Sequence, residues 1–203
     1  MRRLSIICGM AGLVIFATTA MVGGWIYADY DHLTQFISEL GAEGAATSLP
    51  VSLAFIASGS LLSLFWLSAM TQFPRTPLAV TGFGLSALNG LGLMFGGVFP
   101  CDFECAFAGH SRTAALHDAL GGIGYLCGIA GVFLIALAAR RWSRHRYLFP
   151  LGMACAVPAA LAVGFIHPEF EWRGAAQRVV ELGLALFAAG VILALLKDAK
   201  RPL

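Results

Sequence analysis

The sequence predicts an all-α polytopic membrane bundle of six transmembrane helices, with a short interfacial helix after the first span, in one integral membrane domain over residues 1–203. Three observations carry that expectation. Hydrophobic residues make up 59% of the chain and charged ones only 12%, with a mean hydropathy of +0.81. A soluble domain of this length needs far more polar surface. Six apolar runs each reach the roughly 20 residues that cross a bilayer. The 24 glycines suit helices that approach closely in lipid.

The first span is read over 4–28. Its end, Ile26-Tyr27-Ala28, looks like a signal-peptide cleavage site, but the apolar stretch exceeds the usual core of about 7–15 residues. It reads as a retained anchor. "YDHLTQFISELGAEGA" (30–45) follows. There Leu33, Phe36, Ile37 and Leu40 form a helical stripe, with His32, Gln35, Glu39 and Glu43 along the other side. Asp31 is a candidate N-cap and Gly41 a stop. The expected element is an amphipathic helix lying on the interface, greasy side to lipid or bundle and polar side to water or a cavity. Spans 50–73, 78–99, 113–139, 148–166 and 175–196 complete the bundle. The short connections 72–77 and 140–147 require antiparallel neighbours.

Orientation follows from Lys and Arg. Arg2, Arg3, Arg75, Arg140, Arg141, Arg144, Arg146, Lys197, Lys200 and Arg201, ten of the thirteen basic residues, fall on the side of the N-terminus. Both termini are therefore expected in the cytoplasm. Ten of the eleven acids then lie at or near the outer face, as do four of the five histidines. Basic residues confined to span ends leave no nucleic-acid footprint. Asp29-Tyr30-Asp31, Asp102-Phe103-Glu104 and Glu169-Phe170-Glu171 repeat acid, aromatic, acid at the outer ends of the odd spans. Interface biases explain this, and so do three hairpins of common origin.

Several polar residues lie at one outer level. His117-Asp118 sits about 8 Å inside the fourth span, at 1.5 Å per residue. Ionisable groups at that depth face a partner or a watery cavity. Glu181 lies two turns into the sixth span, with Arg178 at i−3, where a structural ion pair is the plain reading. With His32, Glu39 and His167 these are the residue types of a zinc or general acid/base site, although no HExxH or CxxC pair occurs. A bis-histidine haem from His117 and His167 has weaker support. Ser38 lacks a nucleophile elbow and reads more simply as a helix hydrogen-bonder. Cys8, Cys127 and Cys155 lie in spans as small apolar residues. Cys101 and Cys105 share one outer loop, where a disulfide is favoured over a metal pair.

The "YDHLTQFISELGAEG" block, "GVFPCD" closing the third span and "HSRTAALHDALG" opening the fourth resemble the bacterial six-span family called domain of unknown function 998. The resemblance covers nearly the whole chain and points to Ser38, Glu39, Gly41, Pro100, His117 and Asp118 without assigning them a chemistry. It implies a bacterial inner membrane. That family is similar in layout to eukaryotic six-span proteins linked with lipid organisation.

The functional expectation is an outer-face acid/His cavity that binds or organises a lipid or small ligand. Ligand contacts are expected from His32, Ser38, Glu39, His117, Asp118, His167, Arg178 and Glu181. A metal-dependent hydrolase of lipid-like esters or amides is the alternative, with Glu39, His117 and Asp118 as catalytic candidates and His167 as a further metal ligand. A small proton-coupled transporter using Glu181 and His117 comes third. No cofactor is predicted, zinc stays open, and membrane lipids are the expected partners. The oligomeric state is not legible.

Overall fold

The computed structural model describes residues 1–106 and 111–199. His110, and Lys200 and Arg201 from the basic count, lie outside them. Six helices are long and apolar enough to cross a membrane. They are α1 (Arg2–Ile26), α2 (Ser48–Met70), α3 (Pro77–Val98), α4 (Arg112–Ala139), α5 (Leu148–Ala162, a span only together with the turn that continues it to Phe165) and α6 (Arg173–Ala199).

Local chemistry sets their ends. The Thr76 hydroxyl accepts from the Ala79 N–H at 3.2 Å, just before Pro77 starts α3, and Ser111 caps α4 through the Ala114 N–H at 3.0 Å. α5 is the short helix. Pro158 within it supplies no N–H, and past Ala162 the chain tightens into a 3₁₀ turn, Val163–Phe165. His167, preceding Pro168, is steered away from helical backbone.

Consecutive helices pack side by side, and α6 returns against α1. The α2–α3 and α3–α4 contacts are the most extensive because small residues line them. A Cβ on Gly59 would strike the backbone of Gly90 and Met94, and one on Gly92 would come within 2.9 Å of the Gly124 Cα. The Arg2 guanidinium donates to the Asp198 carbonyl at 3.0 Å, so the first and last helices meet at one end, the terminal end. The opposite, capped end carries the connecting residues 27–47, 99–106 and 163–172.

The terminal half is solid. Phe65 and Trp66 lie 4.6 Å apart between ring centroids, Phe187 stacks on Trp66 at 6.4 Å, and Phe73 stacks on Trp142 at 5.0 Å and Phe83 at 5.5 Å. Phe65, Phe83 and Phe187 are fully buried.

The capped half differs from the expectation at one element. The segment after α1 is not an amphipathic helix lying on the surface. It is a closed turn over 31–35 followed by a five-residue 3₁₀ helix, Ile37–Gly41. The cause lies in its polar side chains. The Asp31 carboxylate accepts from the Leu33 N–H at 2.6 Å and the Thr34 N–H at 3.3 Å, and the Gln35 amide oxygen accepts from the Asp31 N–H at 2.8 Å. Asp31 thus caps one turn as expected, and Glu39, accepting from the N–H of extended Phe36, caps a second, separate one, so the two do not join into one helix. The expected faces are also exchanged at two positions. Leu33 is 50% exposed, whereas Glu39 is buried at 1%. The segment enters the bundle mouth as a plug.

Candidate functional site

The plug is built from its buried carboxylate outward. Glu39 accepts from the Phe36 N–H and from the Gln35 side-chain amide, each at 2.9 Å, and lies 3.6 Å from the Arg173 guanidinium. Burial raises its pKa above the usual carboxylate range, against those hydrogen bonds and the Arg173 charge. Arg173 also lies over the Phe36 ring at 5.2 Å and donates to the Pro168 carbonyl at 2.7 Å. One arginine thus ties the plug to the start of α6 and to the end of the α5–α6 connection.

Arg178 does not pair with Glu181, as the i−3 spacing suggested. It reaches up instead, donating to the Tyr30 hydroxyl at 2.8 Å, to His32 Nδ1 at 2.9 Å and to the Gln35 carbonyl at 3.1 Å. Its own helix also offers the Gly174 carbonyl at 3.1 Å. Four acceptors near the head of α6 outcompete one carboxylate a turn deeper. An arginine donor requires His32 Nδ1 to be unprotonated. Partial burial, then the Arg178 charge, lowers the His32 pKa, with Asp31 opposing. Burial raises the Tyr30 pKa, and Arg178 opposes it.

Glu181 has another partner. Tyr125 of α4 donates to its carboxylate at 2.7 Å and accepts from the Gln177 amide at 2.9 Å, and the Gln177 oxygen accepts from the Ile37 N–H at 2.6 Å. A hydrogen-bonded chain therefore runs from plug backbone through α6 and α4 to a carboxylate inside the bundle.

Below the plug lies a cavity of about 250 Å³. Phe36, Ile37, Ser38 and Cys105 roof it. His117, Asp118, Tyr125, Gln177 and Glu181 line its upper walls. Leu13, Leu62, Trp66, Val132 and Ala188 line it further down. Counting along α6 at 1.5 Å per residue, Glu181 lies about 12 Å and Ala188 about 22 Å from the helix start. Polarity is graded: acids and amides above, hydrocarbon and indole below. Asn89, bonded to the Gly124 carbonyl at 3.1 Å, is polar at the middle level, and Ser86, beside Gly131, is the polar residue of the lower level. The cavity also reaches the bundle surface. Asp118 and Gly122 line it and are exposed, and Val163, Ile166 and Pro168 at the end of α5 face them across it. A Cβ on Gly121, Gly122 or Gly164 would meet nothing within 4 Å. The mouth thus lies between the first turns of α4, a helix long and apolar enough to cross a membrane, and the chain just past α5.

The expected site residues fall in separate places. His117 lies on the cavity wall with Nδ1 at 2.8 Å from the Phe99 carbonyl, to which Nδ1 donates. That carbonyl is a partner of the kind expected for an ionisable group at this depth. Asp118 lines the cavity mouth and has partners of its own. His32 is spent on Arg178. His167 is exposed, 4.0 Å from Glu169 Oε2, while its neighbours Ile166 and Pro168 do the lining. A carbonyl-bound imidazole is how zinc ligands are oriented. Even so, no three His, Cys, Asp or Glu among the described residues gather as a metal site. Cys101 and Cys105 are joined by a disulfide, their Cα atoms 5.0 Å apart. The Cys101 carbonyl accepts from the Glu43 N–H at 2.8 Å, and Cys105 Sγ lies 3.4 Å from the Ser38 hydroxyl. The loop holds the plug from above.

Sequence reasoning missed Tyr125 and Arg173. Tyr125 did carry a signal: it follows Asp118 by seven residues, with Gly121 between, along one face of α4. Arg173 gave none, because a basic residue at a span end is ordinary.

The chain belongs to the family described as Protein of unknown function (DUF998), whose sequence model matches residues 10–196. The resemblance carried by three short motifs is thus membership over nearly the whole chain. Neither a search of curated proteins nor one of solved structures returns a match.

Proposed function

We propose that this family member is an amphiphile-binding protein of the bacterial inner membrane, holding a lipid or lipid-like small molecule in the cavity beneath its plug. Both termini face the cytoplasm and the plug faces outward. The observation that carries the reading is the graded cavity with a mouth beside the first turns of α4. An amphiphile entering there finds hydrogen-bonding groups above and hydrocarbon below, so both of its parts are solvated. The orientation rests on Arg75, Arg140, Arg141, Arg144 and Arg146 at the terminal end, and on a disulfide at the capped end, which an oxidising compartment favours.

Binding is preferred to hydrolysis because the expected donors stand apart. Glu39 and His32 are committed to arginines, His167 is outside, and His117 is left with Asp118 alone. It is preferred to proton-coupled transport because the aromatic core closes the terminal half below Trp66.

The test is saturable binding of a single-chain amphiphile by purified protein in nanodiscs, compared with Gly121→Phe. That side chain enters open space in the cavity, so the variant should keep its melting temperature and lose binding. Equal binding by both proteins would refute the cavity as the site. Labelling a cysteine placed at Glu43 tests orientation: reaction with an impermeant reagent only from the cytoplasm would overturn it.

A further inference from the structure

The cavity's charge is one-sided, and we propose that its ligand is a single-chain amphiphile with a cationic, amine-type head, seated against Glu181. This rests on the cavity being a ligand site, and names the headgroup such a site accepts. Glu181 lines the cavity, and among the described lining residues there is no Lys or Arg.

Two arginines lie toward the start of α6 from Glu181, and both are engaged elsewhere. Arg173 is held by Glu39 and the Pro168 carbonyl. Arg178, one turn from Glu181, is held by Tyr30, His32 and two carbonyls. The bond given to Glu181 comes from the neutral Tyr125 hydroxyl. A carboxylate at this depth is costly without an opposite charge or a dense set of donors. An ammonium head supplies both, since each N–H donates and the charge pairs.

The walls suit a cation and a chain together. Tyr125 lines the cavity beside the acid, and aromatic rings attract ammonium groups. From Glu181 down to Ala188 about 10 Å of α6 remains, at 1.5 Å per residue, and there Leu62, Trp66, Val132 and Leu184 make the lining apolar. Fatty acids, alkyl phosphates and anionic phospholipids would set like charges together in a poorly screened space.

The experiment compares chain-matched probes, namely dodecylamine, dodecyltrimethylammonium, dodecanol, dodecanoate and dodecyl phosphate. Protein is held in nanodiscs of zwitterionic lipid, and occupancy is corrected for each probe's partition into the bilayer. The expected result is that both cations bind at least about tenfold tighter than both anions, a difference of about 1.4 kcal/mol. In Glu181→Gln the cation preference should fall to within about threefold while dodecanol binding is unchanged, which shows that the variant is folded. Anions binding as tightly as cations, or a preference that survives Glu181→Gln, would overturn the headgroup assignment and leave the cavity standing. No saturable binding by any of the five would overturn the cavity and the headgroup together.

Discussion

The two halves of the bundle use the same six helices and solve opposite problems. In the terminal half, Phe65, Trp66, Phe73, Phe83 and Phe187 fill the space between helices, and charged groups keep to the rim, as in the His145–Asp198 pair at 2.9 Å. In the capped half the helices enclose a cavity of about 250 Å³, closed by a plug that polar bonds hold in place. Packing by van der Waals contact is the main stabiliser available between helices in lipid. The solid half therefore carries the fold and leaves the hollow half free to carry function.

The sharpest way to break that contrast is to remove bulk from each half. Phe187→Ala, in a fully buried position, should cost about 3–5 kcal/mol, while Leu93→Ala on the cavity wall should cost at most about 2 kcal/mol because it borders existing space. Unfolding in a denaturing detergent titration measures both, and equal costs would deny that the halves differ. Within the plug, Glu39→Ala should cost about 3 kcal/mol by leaving the Phe36 N–H without its acceptor and Arg173 without its counter-charge. Exposed Glu43, by contrast, should change stability by no more than about 0.5 kcal/mol on mutation to Ala. Losing the Cys101–Cys105 disulfide should cost about 2 kcal/mol, since it closes a short loop. That loss should loosen the plug, seen as faster amide exchange at Glu43, and spare α5.

The smallest effect is a pH response with two signs. His32 is held below its ordinary value of about 6.5. The unfolded chain therefore binds the proton more readily, and the stability from neutral His32 is complete above that pH and lost as pH falls. Glu39 is held above its ordinary value. Its contribution is complete below about pH 4.3 and is lost as pH rises through the folded value. From about pH 7.5 to 5.5 the wild-type melting temperature should fall relative to His32→Gln and rise relative to Glu39→Gln. The same sign in both comparisons would mean that one of the two environments is misassigned.

The bundle was legible because length and hydropathy alone decide which segments cross a membrane. The pairing of Cys101 with Cys105 was legible because two cysteines four residues apart in one loop have few other uses. The plug was misread because helical periodicity at Leu33, Phe36, Ile37 and Leu40 is blind to side chains that seize backbone donors. Asp31, Gln35 and Glu39 do so here. The Arg178–Glu181 pair was misread for a related reason. Spacing along one helix says which groups can meet, but the acceptors that drew Arg178 away come from Tyr30, His32 and Gln35, more than a hundred residues earlier. The shared level of His117, Asp118 and Glu181 was visible in the sequence. The helix face of Tyr125, which joins that level to the plug, became evident only with α4 and α6 side by side.

The central claim is that a chain occupies the hollow half down to Trp66. It is tested most directly by fluorescence from a protein keeping Trp66 alone, with Trp25, Trp142 and Trp172 replaced by Phe, titrated with a single-chain amphiphile brominated at its tail. The account predicts saturable quenching that reaches completion near one amphiphile per protein and is abolished by Gly121→Phe. Quenching that rises linearly with bilayer concentration and is indifferent to Gly121→Phe would contradict it.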